Sequence, residues 1–237
     1  MAWIAKQYGG YASTSGEAHA NAIEIAHALY PLGWTKNAVC ALLGNGAGES
    51  GLNPWRWESD YVPTVSIFNN WTPAEQLQHG YGIFQFTPAK KYINATSASL
   101  YAPDYAPNFS DQAGAYSDGA AQTKFFSDNA ASDWRPVDLY NYYRDDFMYI
   151  GVDISPWYYT NYSAFIAGED NNGNPLTLNE LVGVFELNYE RPGDSYAASS
   201  YYTRCNNAAY WQSVLPSPGG QIPAWLLFKF RERRIQK

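Results

Sequence analysis

A helix-dominated α+β fold with one small β element is what this sequence predicts, and three kinds of observation predict it. Apolar residues recur at helical spacing in successive segments. Ser and Thr capping signals open those segments, and Gly or Pro closes them. A single Gly-flanked run, residues 80–86, has the character of a strand.

Residues 15–30 read as the first helix, with Thr14 and Glu17 as a capping box and Ala22, Ile25, Ala26 and Leu29 on one face. A turn at 31–34 leads to a second helix capped by Thr35, with Val39, Leu42, Leu43 and Ala47 apolar. Gly51 and Pro54 stop it. A long Trp-containing connection follows, then a short helix opened by Thr72 and Pro73. After the 80–86 strand, Thr87-Pro88 begins another short helix, and 96–110 read as loop. A helix is expected around 111–127, whereas 133–162 are too dense in aromatics to assign. Residues 171–175 form a turn cluster, and Thr177 with Glu180 caps a helix running through Tyr189. Arg191-Pro192-Gly193 ends it, and a last helix covers about 196–212. The expected organisation is an arm (1–14), a main domain (15–212) and a Pro/Gly linker with an aromatic, basic segment (213–237).

Composition excludes several functions. A net charge of −7 opposes nucleic-acid binding by electrostatics. Five cations against Glu232 make the last nine residues +4, which leaves −11 on residues 1–228. The contrast suits docking of the C-terminal segment onto an acidic neighbour. No apolar run approaches the roughly 20 residues of a membrane span, and the start lacks a signal peptide's pattern. His19, His27 and His79 make no His-Glu-x-x-His motif, so no zinc peptidase is encoded; no metal or cofactor is expected. His19 and His27 read as surface residues and Cys40 as a buried thiol, with a disulfide to Cys205 left open. The 21 Tyr and 9 Trp suit carbohydrate clefts as well as cores.

Glu49 carries the chemistry. It falls in the last turn of the second helix, seven residues after Leu42 and so near the apolar face. The negative end of the helix dipole and partial burial both disfavour its charge there, the setting a general acid needs. Glycoside hydrolysis typically uses a second carboxylate. Glu58, Asp60 and Asp104 are the candidates, each more often a solvated loop acid. Trp55, Trp57, Tyr61 and Trp71 offer faces for sugar stacking, with core packing the plainer reading for at least two.

Three ordered blocks, Gly-x-Gly-Glu-Ser-Gly-Leu-Asn-Pro at 46–54, Gly-Tyr-Gly-Ile-Phe-Gln-Phe-Thr-Pro at 80–88 and Phe-Glu-Leu-Asn-Tyr-Glu-Arg-Pro-Gly-Asp at 185–194, resemble the phage tail lysozyme family. That family is similar in build to goose-type lysozymes and soluble lytic transglycosylases. The resemblance implies a lysozyme-like, mostly α fold with its β element flanking the cleft. It implies Glu49 as the acid that protonates the bond between N-acetylmuramic acid and N-acetylglucosamine. It also implies Tyr81, Gly82, Gln85 and Tyr189 as substrate contacts, to which Trp57 is added as a stacking residue. Glu190, Arg191 and Asp194 read as an ion-paired helix terminus. The expected setting is a phage tail tip or knob, made in the host cytoplasm and acting on peptidoglycan in the envelope, with other tail proteins as partners. A structural tail plug of little activity is the competing reading.

Overall fold

The computed structural model describes residues 3–6, 9–58, 78–89, 91–92, 112–135, 140–157, 159–191 and 194–219. Its helices are α1 (Gly16–Leu29), α2 (Lys36–Glu49), α3 (Gln112–Asp133), α4 (Tyr140–Tyr149), α5 (Tyr162–Ala167), α6 (Leu178–Phe185) and α7 (Asp194–Val214). The chain leaves α6 through a π-helical turn, Glu186–Glu190. The expected short helix at Thr72, the 96–110 loop, Tyr61, Trp71 and 220–237 lie outside the described residues.

Capping chemistry sets most boundaries. Ser15, one residue after the expected cap, receives the Ala18 N–H at 3.1 Å and opens α1. Thr35 receives the Ala38 N–H at 3.3 Å and opens α2. At α6 the expected box is complete: Glu180 N–H donates to Thr177 Oγ1 (3.3 Å) and Thr177 N–H to Glu180 Oε2 (2.7 Å). The aromatic stretch that resisted assignment holds α4 and a 3-10 turn, Ser155–Trp157.

Helix α2 is the central element: residues 38–46 along it are buried. It packs against α7, α6 and α5, while α1 packs on α3. Its small residues allow the close approach to α7. A Cβ at Gly44 would lie 2.6 Å from the Arg204 carbonyl oxygen and 2.8 Å from Ala208 Cβ. A second, aromatic layer stacks Phe84 on Phe126 and packs Phe86, Tyr92 and Phe125 edge to face beside them. Trp34, Trp134, Phe165 and Phe185 continue it.

The expected strand at 80–86 is not one. Among the described residues there are isolated antiparallel bridges, Trp57 to Tyr81 and Tyr81 to Phe86, and no strand. Gly82 (φ 83°) and Gln85 (φ 45°) occupy the left-handed region, which extended backbone does not visit. The run instead folds into a tight turn closed by Phe86 N–H on the Tyr81 carbonyl at 2.9 Å.

Three further sequence readings are resolved by burial. His19 is buried, not superficial: its ring bonds the Tyr210 hydroxyl and packs edge-on to Trp211. Its neighbour two turns on, His27, is exposed. Cys40 and Cys205 are both buried and unbonded, and burial pushes their thiols up, to about 12 and about 11.

Candidate functional site

Glu49 ends α2 beside a turn that is tied down from several directions. Ser50, directly after it, hydrogen-bonds through its hydroxyl to the carbonyls of Gly46 (3.0 Å) and Ile83 (2.7 Å). The second contact joins the helix end to the 80–86 turn. Glu49 is part-exposed and lines a cavity of about 390 Å³, together with Gly48, Arg56 and residues of the N-terminal segment.

Behind Glu49 lies a guanidinium that the sequence reading did not single out. Arg204 on α7 is 1% exposed and donates through Nη2 to Glu49 Oε1. Its Nη1 donates to Asn45 Oδ1 at 3.0 Å, and its Nε faces Glu186 Oε1 at 2.9 Å and Ser200 Oγ at 3.1 Å. Asn45 in turn donates to the Val182 carbonyl at 3.2 Å. One planar cation thus binds α2, the π-helical turn after α6, and α7. Arg204 falls on the buried stripe of α7 with Ala197, Tyr201, Ala208 and Trp211. A lone charge on an apolar stripe requires a buried partner, and that was the signal available in the sequence.

Two more carboxyls share this cation. Glu186 is fully buried, with one oxygen on Arg204 and Ser200 and the other without a hydrogen-bond partner. Burial, partly offset by Arg204, pushes it up to about 7. Glu190 has a buried Oε1 without a partner; burial first, then the charge of Glu49, holds it well above the carboxylate range. The π-helical turn places both, with Arg191 N–H reaching back to the Glu186 carbonyl at 2.8 Å. The ion-paired terminus expected of Glu190 and Arg191 takes another form. Arg191 Nη1 donates to the Asp133 carbonyl at 2.7 Å.

Glu186 makes stability pH-dependent. With its folded-state affinity for a proton raised from the ordinary 4.5 to about 7, its stabilising contribution is full below the unfolded value and is lost as pH rises through 7. The loss amounts to about 3 kcal/mol at 1.4 kcal/mol per unit. Glu186→Gln should therefore melt with a smaller fall in Tm between pH 5 and pH 8 than wild type. Buried Asp118, pushed up by burial to about 6, adds a similar slope to both proteins and cancels in the comparison. Equal falls in the two proteins would refute the assignment.

The other sequence candidates divide clearly. Tyr81 is buried, stacks on Trp57 at 4.4 Å between centroids, and donates its hydroxyl to Asp118 at 2.5 Å. Trp57 and Trp55 are buried too. Gly82 abuts Gln122, where a Cβ would lie 2.2 Å from Oε1. The Gln85 amide donates to the carbonyls of Gly82 (2.9 Å) and Arg56 (3.2 Å). Tyr189 packs between Phe126 and Phe185, 5.0 Å from each. Glu58 accepts from Gly80 N–H at 2.9 Å and faces His79 at 3.3 Å. None of these candidate residues lines the cavity at Glu49. Asp60 and Asp104 lie outside the described residues.

A mostly helical domain thus presents a part-exposed acid at a helix end, beside a cavity and backed by a buried arginine. The family model for phage tail lysozyme matches residues 20–215, and the chain belongs to that family. The chain is also similar to morphogenesis protein 1 of Bacillus phage B103, at 40% identity over 74 residues. That match takes in 31% of this chain and 17% of the relative, so the chain spans under a fifth of its length. No described helix is long and apolar enough to cross a membrane.

Proposed function

We propose that this chain is a virion tail lysozyme that cleaves the β-1,4 bond between N-acetylmuramic acid and N-acetylglucosamine, opening the wall for genome entry. The carrying observation is Glu49: a part-exposed carboxyl on the wall of a cavity, oriented from behind by buried Arg204. In the reaction Glu49 passes its proton to the glycosidic oxygen as the bond to the anomeric carbon breaks, and the sugar develops oxocarbenium character. Water then adds to that carbon and returns a proton to the Glu49 carboxylate, or the sugar's own 6-hydroxyl adds with the same proton transfer and leaves a 1,6-anhydro end. The 80–86 turn is tied to the end of the acid's helix through Ser50 and braces it.

Mass spectrometry of wall digests tests the whole reading. Cleavage at N-acetylmuramic acid is the expected result, and the reducing or anhydro end distinguishes hydrolase from transglycosylase. Inversion at the anomeric carbon would require a second carboxylate, from Glu58, Asp60 or Asp104, to activate water, whereas retention fits a carboxylate nucleophile or the substrate's acetamido group. Intact walls would leave the structural plug as the function.

The C-terminal segment serves assembly in this reading. The first residues of that segment pack on the body: Leu215 is buried, and the Tyr30 hydroxyl donates to the Pro216 carbonyl at 2.8 Å. The apolar run from Trp225 to Phe230, followed by basic residues, suits docking on an acidic tail component. Deleting 220–237 should leave wall hydrolysis near wild type while abolishing incorporation into particles. An insoluble or inactive truncation would assign the segment to the enzyme's own core.

A further inference from the structure

The N-terminal segment is built into the cavity at Glu49. Asn53 donates to the carbonyls of Lys6 and Gly9, both at 2.8 Å, and accepts from Lys6 N–H at 3.1 Å. Tyr11 N–H donates to the Gly51 carbonyl at 3.0 Å. The two backbones run in contact: a Cβ at Gly10 would lie 2.5 Å from the Ser50 carbonyl oxygen. Farther back, Trp3 is buried against Gly119, and Ile4 bonds Asn21. These contacts set Lys6 in the same cavity as Glu49, its ammonium 4.7 Å from the centroid of the Tyr11 ring. Arg56 lines the cavity as well.

A cation that shares a cavity with the acid has a chemical meaning if the substrate is a murein strand. We infer that Lys6 forms a subsite for a carboxylate carried by the substituent of the muramoyl residue, next to the scissile bond. The proposal rests on the lysozyme reading above and names what that reading leaves open, the recognition of the charged sugar over the neutral one. Desolvation chiefly, and then the like charge of Arg56, hold the Lys6 ammonium below its ordinary value, against an upward pull from Glu17. A cation so placed gains from an incoming anion, and the site's partial enclosure strengthens that gain over its value in open water. The Tyr11 ring holds the ammonium beside the cavity.

The test is a binding comparison on the full chain carrying Glu49→Gln, which holds turnover out of the measurement. Isothermal titration with a soluble muropeptide and with a neutral N-acetylglucosamine oligomer of equal length gives the ratio of their affinities. Lys6→Met, added to that background, should lower this preference for the charged glycan by about tenfold, the worth of one semi-enclosed ion pair. Lys6→Arg should restore it. A ratio unchanged by Lys6→Met overturns the subsite while leaving the lysozyme reading intact. Failure of the parent protein to bind either glycan refutes the lysozyme reading and takes the subsite with it.

Discussion

Glu49→Gln should reduce wall-clearing turnover by on the order of a hundredfold or more, the usual worth of a positioned general acid. The amide keeps the size of the carboxyl and still accepts from Arg204 Nη2, so the helix end should stay in place. It has no proton to transfer to the leaving oxygen. The discriminating comparison is activity against melting temperature: the variant should lose the first and keep the second within a few degrees. A Gln variant that clears cell walls as fast as wild type would remove Glu49 from the reaction.

Arg204→Ala should be the most destabilising change at the site. It strips the counter-charge from Glu49 and from Glu186, whose side chains are 21% and 0% exposed. Removing one member of a buried ion pair costs roughly 3–5 kcal/mol, because a carboxylate is left desolvated. Protonation of Glu186 limits the damage, so the lower end is expected at acid pH and the upper end above 7. In a chain of this size that is a fall in Tm of about 6–20 °C. Arg204→Lys should recover little, since an ammonium cannot reach Asn45, Glu49 and Glu186 at once. Thermal melts at pH 5 and pH 8 check both claims. A melt of Arg204→Ala within a degree of wild type would show that the cluster contributes nothing to the fold.

Much of this protein was legible in its residues because the relevant signals are local. Thr35 and the Thr177–Glu180 box cap helices by bonds that close within three residues, so α2 and α6 begin where the sequence places them. The position of Glu49 in the last turn of α2 follows from the same periodicity. Errors arose where a local pattern admitted two backbones. Ser15 and Thr14 are both competent caps, and Ser15 takes the position. Residues 80–86 read as a Gly-flanked strand, yet Gly82 and Gln85 take positive φ and the turn meets Gln122, Arg56 and Ser50. The aromatic block at 80–86 was read as facing sugar, and packing turned Tyr81 inward to Asp118.

The sequence by itself determined the caps of α2 and α6, the acid at a helix end and the family to which the chain belongs. Only the tertiary structure decided what stands behind and beside that acid. Arg204 is 155 residues from Glu49 along the chain, and no periodicity couples positions so far apart. Their meeting depends on Gly44 letting α7 lie against α2, and on a π-helical turn presenting Glu186 to the same guanidinium. The N-terminal segment likewise carries no helical or strand signal; Asn53 and the glycine contact at Ser50 lay it along the cavity. Charge and proton affinity at such a site are properties of burial and of neighbours brought together by folding, and burial is the one quantity a linear pattern does not contain.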